Sequence, residues 1–159
     1  MPEINLHIAI DAPKERVFDL ARSIDLHQLS TSQTDERAIS GRTNGLIQMG
    51  ETVTWRARHF GIYQNLTSKI VQYDRPCSFT DEMVEGIFKS FEHQHYFSET
   101  EKGTLMIDRF YFQSPLGILG KLADKLFLTK YMRRLLIIRN QVIKEAAESN
   151  KWRDFLPPS

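Results

Sequence analysis

The sequence predicts an α+β domain in which a curved antiparallel sheet of seven strands grips a long C-terminal helix. Three observations carry that expectation. Ile4, Leu6, Ile8 and Ile10 alternate with Asn5, His7 and Ala9, the period-two pattern of a half-buried strand. From Glu36 to Phe112 strand-like runs are separated by turn signals, with no helical stripe among them. Beyond Ser114 the period becomes helical, and Leu128, Tyr131, Met132, Leu135, Val142, Ile143 and Ala146 fall on one face.

Taken in order, strand one is followed by Asp11-Ala12-Pro13, which offers an N-cap acceptor and a first-turn proline to a helix burying Val17, Leu20, Ala21 and Ile24. Asp25 is placed to cap a second short helix through Leu29, and Ser30 to Thr34 reads as a polar connection. Asn44-Gly45, a strong hairpin signal, is expected to join 36–43 to 46–60. Further turns fall at 61–64, Tyr73-Asp74-Arg75-Pro76, Glu85-Gly86 and Thr100-Glu101-Lys102-Gly103, which divide the region into six strands. The final helix is expected over about 117–149. A second stripe of Leu119, Leu122 and Leu126 implies a bend near Thr129. The expected organisation is one domain over 1–150 and a tail over 151–159 that lies on the surface or frays.

Composition narrows the function classes. Of 159 residues 41% are hydrophobic and 26% charged, as in ordinary globular domains rather than disordered ones. A net charge of +1 is too small for the basic face of a nucleic-acid binder. The apolar run Leu135-Leu136-Ile137-Ile138 is far short of the roughly 18 residues of a membrane span, so no integral membrane segment is expected. One cysteine, Cys77, and an acidic N-terminus without a secretory pattern point to the cytoplasm. Cys77 follows Pro76 at a strand start and is expected to be a small buried thiol rather than a nucleophile. Gly41, Gly45 and Gly50 match no phosphate-binding pattern.

Several motifs go further: Gly50-Glu51-Thr52-Val53-Thr54-Trp55, Phe79-Thr80-Asp81-Glu82-Met83, Gly86-Ile87-Phe88, His93-Gln94-His95-Tyr96-Phe97, then Asp108 and Ser114-Pro115-Leu116-Gly117. With the element order they resemble the START-like, SRPBCC superfamily, which includes the birch-pollen allergen, lipid-transfer domains and polyketide cyclases, and most closely an uncharacterised bacterial branch of it. The resemblance covers nearly the whole chain and implies a helix-grip fold with a hydrophobic-ligand cavity between sheet and helix. It leaves the chemistry open, because the superfamily holds enzymes, carriers and sensors.

Strand parity selects the cavity wall. Phe91, His93, His95 and Phe97 form one face of their strand. Arg56 and Arg58 turn the other face of theirs to water, which leaves Trp55 and His59 inside. If Thr100 faces Gly103, then Phe97 opposes Met106, His95 opposes Asp108 and His93 opposes Phe110; a slip of one residue would set His95 against Arg109. The expected cavity set is therefore Trp55, His59, Phe91, His93, His95, Phe97, Met106, Asp108, Phe110 and Phe112. His59, His93 and His95 are expected in one neighbourhood with Asp108.

Such a wall suits a small hydrophobic molecule, a lipid, isoprenoid or aromatic polyketide, bound by a carrier or sensor. An enzyme is the alternative. His95 oriented by Asp108 would keep its second nitrogen for proton transfer, as the resemblance to polyketide cyclases implies for a cyclase, dehydratase or isomerase. A protein-interaction module, with its partner unspecified, is a third class. His93 and His95 with His59 and Asp108 have the donor types of a first-row metal site, yet buried imidazoles are usually satisfied by carboxylates or carbonyls, so no metal and no cofactor is expected. Asp81 and Glu82 point to opposite faces of a strand, so only one of them meets the cavity. Lys130, Arg133, Arg134 and Arg139 read as a solvated helix face.

Overall fold

The computed structural model describes residues 2–114 and 127–158. Seven strands form one antiparallel sheet: β1 (Glu3–Ile10), β2 (Arg37–Gly41), β3 (Thr52–His59), β4 (Ile62–Asp74), β5 (Ser78–Glu85), β6 (Ser90–Glu99) and β7 (Thr104–Gln113), in the order β1-β7-β6-β5-β4-β3-β2. Helices α1 (Lys14–Ala21) and α2 (Ile24–Ser30) connect β1 to β2. Helix α3 (Thr129–Glu148) packs against α1, α2 and β1. Register shifts leave Ile39 of β2, Val71 of β4 and Val84 of β5 unpaired, and these bulges add the twist that curves a sheet around a helix.

The β6–β7 register is the one that keeps His95 off Arg109: Phe97 pairs with Met106, His95 with Asp108 and His93 with Phe110. The Thr100 amide closes the turn on the Gly103 carbonyl at 2.9 Å. Gly103 is required there, since a Cβ would lie 2.3 Å from the Ile10 carbonyl oxygen. At the β3–β4 turn the central residues are Phe60 (φ 53°) and Gly61 (φ 80°), both left-handed, as a two-residue type I′ connection demands. Phe60 is an unusual occupant of that conformation.

Several expectations are corrected. Pro13, rather than Asp11, is the N-cap of α1, and Ser23, rather than Asp25, caps α2, its hydroxyl accepting from the Leu26 amide at 3.1 Å. Asn44-Gly45 makes no tight hairpin. The 42–51 connection instead bonds to the start of α2, with the Gly45 amide donating to Asp25 Oδ2 and the Ile24 amide to the Gly45 carbonyl, both at 2.9 Å. Cys77 is exposed, 3.6 Å from Lys14 Nζ. Of the two outcomes expected for the C-terminal segment, its described residues lie on the surface rather than fray. The segment turns through a 3-10 helix at Lys151–Asp154 and packs Trp152, Phe155 and Leu156 against the core, with the Arg16 guanidinium 4.3 Å from the Trp152 ring centre.

The expected stripe on α3 is rotated. Leu136, Arg139, Asn140, Ile143, Ala146 and Ala147 are buried, whereas Leu128, Tyr131, Met132, Leu135 and Val142 are only partly covered. The centre of the face is one residue later because a polar pair, Arg139-Asn140, occupies its middle and reaches a partner on the sheet. The Leu119, Leu122, Leu126 stripe and the expected helix start at 117 lie outside the described residues.

Candidate functional site

A cavity of about 430 Å³ lies between α3 and the concave face of the sheet, within the size range of small-molecule sites. Trp55, Leu66, Phe91, Phe110, Met132 and Leu136 supply its apolar wall. Two polar groupings border it, one around His59 and one around Asp108. At the outer end His59 Nδ1 lies 2.7 Å from the Tyr131 hydroxyl, and the Phe60 ring packs on Tyr131 and Phe127 with centres 4.7 and 5.4 Å away. Burial lowers the His59 pKa, against the opposing pull of Glu36, and raises that of Tyr131. The buried side-chain oxygen of Gln64, also on the wall, has no hydrogen-bond partner among the described residues.

The inner end is built around Asp108, which is fully buried. His93 Nε2 donates to its Oδ1 at 2.8 Å, Asn140 Nδ2 to its Oδ2 at 2.7 Å, and Arg139 Nη1 approaches Oδ1 at 3.4 Å. Arg139 also donates to the Asn140 side-chain oxygen at 2.9 Å and the Ala21 carbonyl at 3.1 Å, so α3, α1 and β7 meet at one point. Burial opposes ionisation of Asp108, but the contacts from His93 and His95 and the Arg139 charge outweigh it and hold the carboxyl well below the usual range. Burial and the neighbouring His95 push the His93 imidazole down to about 4, against the pull of Asp108. The rings of His93 and His95 lie with centres 3.8 Å apart, as side chains two apart on one strand face allow.

His95 is held from both sides. Its Nε2 donates to Asp81 Oδ1 at 2.9 Å, while Nδ1 sits 3.1 Å from Asp108 Oδ1 without the alignment of a hydrogen bond. Asp81 therefore faces inward and Glu82 is exposed. Burial opposes ionisation of Asp81 too, and the His95 hydrogen bond overcomes it, so its pKa is lowered.

Of the ten residues expected to line the cavity, Trp55, His59, Phe91, His93 and Phe110 do so. Phe97, Met106 and Phe112 are inward but packed solid, Phe97 and Met106 beneath α1 and Phe112 among Ile4, Phe88 and Phe110. His95 and Asp108 lie behind the wall, and His59 does not join them: its ring partner is Tyr131. Arg139, expected on a solvated face, and Asn140 instead complete the site. The spacing Leu136, Arg139, Asn140, Ile143 carries the signal, a polar pair set within an apolar stripe.

No protein-family model matches the chain, and no curated protein does. Solved structures do match. TTHA0849 from Thermus thermophilus is 20% identical over 92% of this chain and 97% of its own, with a TM-score of 0.75. Ginseng major latex-like protein 151 from Panax ginseng is 17% identical over 93% and 98%, with a TM-score of 0.68. SA2116 from Staphylococcus aureus, described as a protein of unknown function, is 12% identical over 93% and 96%, with a TM-score of 0.67. The chain has the START-like helix-grip fold. At these identities the likeness is one of fold, and what this helix-grip chain does has to be argued from its own cavity. Among the described residues no helix is long and apolar enough to cross a membrane.

Proposed function

We propose that the protein is a cytoplasmic binder, a carrier or sensor, of one small and largely apolar molecule of the lipid, isoprenoid or aromatic-polyketide kind. The observation that supports this reading is the cavity itself: a largely aromatic and aliphatic wall that carries a limited set of polar groups. Apolar area gives affinity and sparse polar groups give orientation. The unpartnered Gln64 oxygen favours a ligand that donates a hydrogen bond, such as a hydroxyl.

Native mass spectrometry of freshly purified protein, followed by extraction, tests the reading. A stoichiometric copurified compound is expected, and adding it at a hundred times its Kd should stabilise the fold by about 2.7 kcal/mol. If nothing copurifies and a panel of lipids and aromatics leaves the Tm unchanged, the reading fails. Proton transfer is the second reading, and one observation moves it to a different residue. His95 spends its second nitrogen on Asp81, whereas His93 reaches the cavity wall with Nε2 held by Asp108. An enzyme of the cyclase, dehydratase or isomerase kind would lose roughly 10²-fold or more in rate in His93→Gln, while a carrier would lose only modest affinity.

A further inference from the structure

We propose that Asp81, His93 and His95 bind a first-row divalent metal ion, with Asp108 as the outer carboxylate that orients both imidazoles. The argument begins with the strands. Asp81 on β5 pairs directly with His93 on β6, and His95 follows two residues along the same face. Three donors thus come from two adjacent strands whose backbone hydrogen bonds fix their separation. A donor atom of each lies within 4.8 Å of the other two.

One edge of the triad already has the length an ion needs. Metal bonds of about 2.0–2.2 Å to nitrogen and oxygen, at angles of about 90–109°, set donor-to-donor edges of roughly 2.9–3.4 Å. His95 Nε2 and Asp81 Oδ1 already stand 2.9 Å apart, so an ion can enter that edge once the Nε2 proton moves to Nδ1, where Asp108 Oδ1 lies 3.1 Å away to accept it.

Asp108 has the position of the outer partner that metal-bound histidines use to fix tautomer and orientation. Its Oδ1 lies 2.8 Å from His93 Nε2 and 3.1 Å from His95 Nδ1, which leaves the other nitrogen of each ring for the ion. The buried Nδ1 of His95 makes no aligned hydrogen bond, so the protein alone does not satisfy this ring.

Charge points the same way. Arg139 and Asn140 bond Asp108, whereas the bond to Asp81 comes from an imidazole. A divalent ion would give Asp81 a directly bonded countercharge, where the Arg139 charge reaches it only through space. Two imidazoles and one carboxylate suit zinc, iron or cobalt rather than magnesium or calcium, and three protein ligands leave open positions. Asp81 and His93 both line the cavity, so those positions face it.

The site does not depend on the apolar-ligand reading, and its test needs no ligand. Tag-free full-length protein is freed of metal with a chelator, dialysed and titrated with Co²⁺, then with Zn²⁺. One equivalent of Co²⁺ should produce visible ligand-field bands that Zn²⁺ abolishes, and contact-shifted NMR signals from two imidazoles. His93→Gln or Asp81→Asn should lower affinity at least about 100-fold, and Asp108→Asn about 10–100-fold. His59→Gln, which alters only the outer end, should leave uptake unchanged. Because a buried variant can fail to fold, the wild-type titration decides by itself: no uptake, or shifted signals from any number of imidazoles other than two, overturns the site. Undiminished uptake by a folded His93→Gln variant does the same.

Discussion

The two halves of the concave face carry similar side chains to different ends. Under α1 and α2, Phe18 sits edge-on to Tyr73, Phe79 and Phe97 at centre distances of 5.2–5.5 Å, and only a small space of about 80 Å³ remains, between Ile24, Ile70 and Phe79. Toward the outer end Phe91 and Phe110 stack at 5.4 Å with their free sides on the cavity. The Asp108 cluster stands between the halves. The difference lies in what covers the sheet: α1 sets Phe18 into one half, while among the described residues the other half is roofed by α3, whose Tyr131, Met132 and Leu136 line the cavity instead of filling it. Aromatic residues on an inward face thus make a core or a binding wall according to the element above them.

The most severe way to break this contrast is to truncate a ring in each half. Phe18→Ala should cost about 4 kcal/mol, since it opens a void in a filled region with no exposure at all. Phe91→Ala, which enlarges a space already present, should cost about 2 kcal/mol and broaden the sizes of molecule accepted. Urea denaturation of both variants reads the ordering. Equal costs would mean that the cavity half is as tightly packed as the other.

Removing the divider comes next. Asp108→Asn leaves the Arg139 guanidinium buried without its carboxylate, and about 3 kcal/mol should be lost. A loss below about 1 kcal/mol, measured the same way, would mean that Arg139 finds water or another partner once the charge is gone, and that the halves are continuous.

Much of this is legible in the sequence, and the exceptions have a common cause. Period-two alternation and the need to keep His95 off Arg109 are pairwise and local, so strand faces and the β6–β7 register can be read from spacing alone. Alternation alone leaves open which of Asp81 and Glu82 turns inward, and the structure places Asp81 there, on the face of Phe79. Phe97, Met106 and Phe112 read as cavity residues because parity says which way a side chain points and nothing of what fills the space in front of it. Arg139 reads as solvated because an arginine is buried only when a partner waits, and Asp108 is 31 residues away in the chain.

Helix α3 allows a finer test of the same point. Leu136→Ala should cost about 2–3 kcal/mol, because Leu136 is buried at the cavity floor with Phe91 and Phe110. Leu135→Ala, at a half-covered position, should cost less than about 1.5 kcal/mol. The reverse order in thermal or urea unfolding would rotate α3 by one residue and remove Arg139 from Asp108.

The smallest expected effect concerns what holds the solid half shut. Asp19 on α1 accepts from Arg75 at 3.0 and 2.6 Å and from Arg22 at 2.9 Å, tying the helix to the turn between the interior strands β4 and β5. Burial works against its charge, but Arg75 and Arg22 outweigh that and lower the pKa from 3.8. A carboxyl depressed in the fold adds stability that is fully present above its unfolded value and is lost as pH falls through the folded one. Arg75 is substantially exposed and water screens the pair, so Asp19→Asn should cost only about 1 kcal/mol at neutral pH. The gap between wild type and variant should then shrink as pH drops below about 3.8, in denaturation curves compared pairwise at each pH. A gap that persists unchanged into acid would assign the effect to the shape of the side chain rather than its charge, and α1 would then be held over the sheet by Phe18 and its neighbours alone.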